Sequence, residues 1–211
     1  MSLLMFALAP NEVVVLTDTL AMTPAGGPYL FVSKCSVVPH LEMLVAFTRV
    51  AQVGQLWSHK LQTEMLARDI DLLDQHVPNA LRAMAAQVDR EFGNASTAST
   101  VYHLGYSESQ ACYTGYVYRS ENDFASEVMD PGFRIKPVPE GSFEAPSSLD
   151  EMVALGIRVR EEQDASPPAD RVYIGGELII TAMLDRNVQI RKLYRFEDFD
   201  SHWRTMNINL P

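Results

Sequence analysis

A chain of 211 residues that is 47 % hydrophobic can bury one substantial core, so one domain over residues 1–211 is expected. Its formal net charge of −10 argues against nucleic acid and anionic membranes as partners, since both need a basic face. No run of about eighteen apolar residues occurs, so no membrane span is expected. The opening MSLLMFALAP lacks the basic segment and cleavage site of a secretory signal. Cys35 and Cys112 lie in apolar runs and read as two buried free thiols in a reducing compartment, which points to the cytoplasm. The five histidines show no ligand spacing, and CxxC, HExxH, P-loop and GxGxxG motifs do not occur. No metal or cofactor is therefore expected.

In chain order, Leu3 to Ala9 and Glu12 to Leu16 flank Pro10-Asn11 and predict a hairpin whose second strand ends at Thr17-Asp18-Thr19. Thr23 to Pro28 is loop by composition. Tyr29 to Val38 and Leu41 to Phe47 are two further strand candidates. The period then changes. Val53, Trp57, Leu61 and Met65 form a helix stripe, and Val77, Leu81, Met84, Val88 and Phe92 form another. Pro78 suits a first helical turn and Gly93 a stop, so two consecutive antiparallel helices are predicted.

The β period returns at Val101 to Tyr106 and Ala111 to Tyr118, with a third strand near Ala125 to Met129. Pro131 to Ser147 holds four of the twelve prolines and reads as an extended connection. Ser148 and Glu151 have capping-box spacing, opening a third helix with Leu149, Met152, Val153 and Ile157 on its face. Val172 to Leu184 is a long apolar run containing Gly175-Gly176, read as a strand bulge. Asp185-Arg186-Asn187 is a turn, Val188 to Tyr194 closes a hairpin, and Phe196 to Asp200 (FEDFD) reads as a solvated face. Trp57 reads as core, and His40 as a residue packed or bonded at a strand turn. Short turns between strands imply antiparallel pairing. Two such sheets packed on each other with helices outside would give an α+β fold, a four-layer α/β/β/α sandwich.

The run VVVLTDT…SKCSVVPHLEMLVAFT resembles the start of proteasome β-subunits and their bacterial relatives, within the N-terminal-nucleophile (Ntn) hydrolases. An aspartate closes the second strand, and a lysine sixteen residues on begins a patterned run: here Asp18, then Lys34 with Val37, His40 and Leu41. The likeness covers most of the chain, but only the first fifty residues match in detail. The family's nucleophile lies sixteen residues before the aspartate, which is Ser2 here. Met1 before so small a side chain is readily removed.

The resemblance implies a catalytic set of Ser2, Asp18 and Lys34, and the residue types suit the chemistry. A serine hydroxyl needs a base. A free α-amine, with a pKa of about 7.7–8.0, can take its proton near neutrality. A nearby lysine stabilises the attacking oxygen, and a carboxylate holds that lysine. The resemblance places the oxyanion donor at the backbone N–H of Thr48, where the family has glycine, and a small apolar substrate pocket at Ala21, Val32, Ala46 and Val50. Read without the family, Asp18 and Lys34 are unrelated strand-end charges, and Ser2 is a free terminal serine.

The chain also departs from the family. The Gly-Ser-Gly turn is replaced by MDPGFRIKPVPEG, with Ser142 the nearest serine. The late Asp-x-x-Ser-Gly motif becomes DRVYIGG, which keeps Asp170 and the glycines but no serine. The expectation is therefore an amide-bond hydrolase acting on a peptide or small amide through an acyl-enzyme on Ser2. The alternative is a catalytically inactive subunit with a ring-forming or scaffolding role. Family members stack into rings, which implies a homo-oligomer.

Overall fold

The computed structural model describes residues 2–23, 26–49, 51–64, 67–92 and 98–207, without the side chains of Ala51, Phe92 and Asn207. Met1, Val50, Met65 and Gly93 from the sequence reading lie outside these residues. The fold is mixed α+β, with three antiparallel sheets and five α-helices among the described residues.

The first hairpin forms as expected, with β1 at Leu4–Ala9 and β2 at Glu12–Asp18. A two-stranded ribbon follows, β3 at Leu20–Met22 and β4 at Pro28–Phe31. The strand expected over Tyr29 to Val38 is therefore two strands, because the chain bends at residues 32–34 before β5, Cys35–Val38. A single 3-10 turn at Pro39–Leu41 leads into β6, Met43–Arg49. Helix α1 spans Ala51–Thr63 and α3 spans Val77–Phe92, with Pro78 in its first turn. Between them lies a short helix that the apolar stripes do not reveal, α2 at Ile70–Asp74, capped by the Asp69 carboxylate on Leu72 N–H (2.8 Å).

Strands β7 (Ser99–Ser107), β8 (Cys112–Arg119) and β9 (Ser126–Val128) follow. The proline-rich stretch is not only a connection, since Gly132–Lys136 forms β10 and pairs with β1. Helix α4, Leu149–Ala165, begins at Ser148, whose hydroxyl accepts Glu151 N–H at 3.2 Å. The Glu151 carboxylate reaches back mainly to Ser147, accepting from its N–H and hydroxyl. The α4 residues buried deepest are Met152, Leu155, Gly156 and Val159, a face rotated from the one predicted. Strands β11 (Glu177–Leu184) and β12 (Asn187–Arg195) close the last hairpin.

The tail is a helix, α5 at Phe199–Asn207. Its approach through FEDFD is not a solvated face. Phe196 is buried, and Asp198 takes a two-pronged contact from the Arg160 guanidinium (3.2 and 2.6 Å). Phe199 stacks on Phe31 with ring centroids 4.5 Å apart. His40 is exposed, Trp57 is fully buried, Cys35 is buried, and Cys112 is only half-buried.

The two larger sheets have orders β10-β1-β2-β11-β12 and β5-β6-β7-β8-β9. Alternation along their strands sorts side chains into three cores. Met43, Val45, Phe47 and Val101 pack with α1, α2 and α3. Leu3, Met5, Leu16 and Leu178 pack with α4. Leu4, Phe6, Val13 and Val15 of one sheet share a core with Leu44, Ala46, Tyr102 and Val117 of the other. No described helix is long and apolar enough to cross a membrane.

Candidate active site

Strand β2 is central in its sheet, between β1 and β11, so its last residue is carried into the interior. That residue is Asp18, which is fully buried. The β3–β4 ribbon returns the chain, and the bend before β5 delivers Lys34 with 4 % exposure. Lys34 Nζ lies 2.7 Å from Asp18 Oδ1 and also donates to the Leu20 carbonyl at 2.6 Å. An ammonium has three protons to donate, so these bonds leave one. Burial lowers the Lys34 pKa from its usual value, and the adjoining Asp18 carboxylate works against that shift.

Asp18 is held from three sides. Its Oδ1 also accepts the Leu3 N–H (3.0 Å), and its Oδ2 accepts the Gly175 N–H (3.2 Å). The contact with Leu3 sets the front of the chain beside the ion pair. The contact with Gly175 comes from the segment entering β11. The Gly175 carbonyl accepts Leu20 N–H (3.1 Å) and Thr19 N–H (3.3 Å), and the Thr19 hydroxyl accepts Glu177 N–H (2.9 Å). Gly176 has φ +76°, and a Cβ there would lie 2.3 Å from Thr19 Oγ1. The Gly175-Gly176 pair is thus a close-approach device under the carboxylate. The bulge expected there falls between Leu178 and Ile179, in the pairing with β12.

Ser2 is half-buried and adjoins Leu3, the residue bonded to Asp18. Phe47 N–H donates to the Lys34 carbonyl at 3.4 Å, so alternation turns the next amide, that of Thr48, toward Thr100 of β7. That geometry does not suit the amide for an oxyanion. The Thr48 side chain, however, continues the face of Leu44 and Ala46 into the space between the sheets. Its hydroxyl is buried without a hydrogen-bond partner among the described residues. Of the expected pocket residues, Val32 is half-buried and donates its N–H to the Thr19 carbonyl (2.8 Å), and Ala21 is half-buried on β3. Ala46 is buried opposite Cys35. Ser142 and Asp170 are both exposed and stand outside this constellation.

The groups that reading side chains missed are backbone groups: the Leu3 and Gly175 amides and the Leu20 carbonyl. Only the paired glycines carried a signal, since close backbone approach is a use of glycine. The arrangement can hold a cation beside the front of the chain in a water-poor setting, which suits stabilisation of an oxyanionic nucleophile. No family model matches the chain, and no curated protein matches it.

Proposed function

We propose that the chain is a proteasome-like Ntn hydrolase, with the α/β/β/α four-layer fold, cleaving peptide or other amide bonds through an acyl-enzyme on Ser2. The observation that carries this reading is the buried Asp18–Lys34 ion pair bonded to Leu3, one residue from Ser2. The three cores support the layering, one of them shared by the two five-stranded sheets.

With Ser2 as the first residue, its α-amine takes the hydroxyl proton while Oγ attacks the amide carbon. The Lys34 ammonium stabilises charge on Oγ. The Thr48 hydroxyl, buried and unpartnered on the inter-sheet face, is the donor for the carbonyl oxygen. The collapsing intermediate expels the amine, which takes the proton from the α-ammonium. Water, activated by the same amine, then hydrolyses the ester and restores Ser2.

The test is intact mass followed by a β-lactone probe with peptide mapping. Loss of Met1 and a covalent adduct on Ser2, absent in Lys34→Ala, are the expected results. A protein that begins at Ser2, is folded and takes no label overturns catalysis and leaves the scaffolding subunit, which the exposure of Ser142 and Asp170 favours.

A further inference from the structure

Where the β10–β1 edge of one large sheet meets the β8–β9 edge of the other lies an open cavity of about 410 Å³, a size suited to a small ligand. In the first sheet Leu4 pairs with Lys136 and Phe6 with Arg134. Directly opposed residues share a face, so both cations project with Leu4 and Phe6 toward the other sheet. In the second sheet Thr48, Thr100 and Arg119 form one row across β6, β7 and β8, and Arg119 lines the same cavity. Three cations converge there in a chain of net charge −10.

Their partners differ. Arg119 is paired with Glu127, and Arg134 donates to the backbone carbonyls of Asp130 (3.1 Å) and Phe133 (3.4 Å). Lys136 is half-buried, with Nζ 5.8 Å from the Tyr102 ring centroid, and has no carboxylate partner among the described residues. Burial, then Arg119 and Arg49, push its pKa down, against Glu121. A crowded cation of this kind lacks an anion. The lining also holds two carboxylates, Glu127, which is taken up by Arg119, and Asp130, and the rest is largely apolar, including Leu4, Phe6, Val117 and Phe143.

We propose that this cavity is a carboxylate-recognition subsite, in which Lys136 receives the anionic head of a ligand whose apolar body lies against Leu4, Phe6 and Val117. Resting on the hydrolase reading, and because Leu4 is two residues from Ser2, it assigns the substrate class: amides bearing a carboxylate on an apolar body, of the N-acyl amino acid type.

The test is calorimetric titration of the full chain with hippurate and with its neutral analogue, hippuramide. Hippurate should bind at least tenfold more tightly. Lys136→Met should remove most of that preference and Lys136→Arg should keep it. Equal affinities, no hippurate binding, or an unchanged preference in Lys136→Met overturns the subsite. If Lys136→Met fails to fold, the wild-type comparison and Arg134→Gln, which should weaken hippurate binding, decide the matter. Labelling of Ser2 by the β-lactone is read separately. Labelling without the preference discards the subsite alone, and the preference without labelling discards the hydrolase reading alone.

Discussion

Lys34 tolerates its burial because Asp18 and the Leu20 carbonyl replace the water it has lost. Removing one partner strands the other. Lys34→Ala should lower unfolding free energy by about 3–5 kcal/mol, because the Asp18 carboxylate is left buried with only two amide donors. The double variant Asp18→Asn/Lys34→Met should recover most of that loss in urea unfolding, while Ser2 remains unlabelled by the β-lactone. A double variant as unstable as the single one would show that the pair does more than neutralise itself. Asp71 offers a second test by pH. Burial disfavours its charge, but hydroxyls of Ser107, Ser109 and Tyr116 donate to it and hold its pKa below 3.8. A depressed carboxylate contributes stability above its unfolded pKa and loses it as pH falls through the folded one. Asp71→Asn should therefore be less stable than wild type at pH 7, and the gap should close below about pH 3.8 in chemical unfolding.

Between elements, the contact of α1 with β7 is set by Trp57 and His103. Trp57 Nε1–H donates to His103 Nε2 at 2.7 Å inside the core, so the imidazole is neutral with its proton on Nδ1. Burial pushes its pKa down to about 3. The unfolded chain then binds more protons than the folded one below pH 6.5, so this stability is intact above 6.5 and lost progressively toward pH 3. His103→Gln, which keeps an acceptor for Trp57, should flatten the fall in stability between pH 6.5 and 4. A simpler expectation attaches to α4: Ser148→Ala removes the acceptor for Glu151 N–H and should cost about 1 kcal/mol in denaturant unfolding. How far elements could be read from sequence depended on length and period. Helices α1 and α3 showed their stripes over three or more turns, and the β1–β2 hairpin showed its turn. Helix α2 is one turn long. Strand β10 has only five residues among prolines, on a sheet edge where a weak pattern suffices. Helix α5 is hidden behind its charged approach, where Asp198 finds its partner Arg160 far away in sequence.

At the scale of the whole molecule, legibility falls with sequence separation. The Asp18–Lys34 pair spans sixteen residues, and only the family resemblance joined two charges that composition and period leave unrelated. The bond from Gly175 to Asp18 spans 157 residues and is made by a backbone N–H that every residue but proline possesses, so no side-chain pattern announces it. The cation cluster of Arg119, Arg134 and Lys136 comes from strands in two sheets, and only their stacking gathers it. Assembly also belongs to this scale. Leu56 on α1 and Leu72 on α2 are exposed large apolar side chains on the helical side of the β5-to-β9 sheet. If these helices meet neighbouring copies, sedimentation velocity should show a species of several subunits, and Leu56→Glu/Leu72→Glu should shift it to monomer while leaving the thermal unfolding midpoint nearly unchanged.

The grip of Gly175 on Asp18 also sets an order of events during synthesis. A nascent chain stalled before this glycine has made every side chain of the proposed centre, yet one carboxylate oxygen still lacks its clamp. Under the proposed function, the centre gains its last contact on Asp18 only once the segment entering β11 has been made. Splitting the gene in the loop after α4 should yield two halves that are silent apart and regain β-lactone reactivity on mixing.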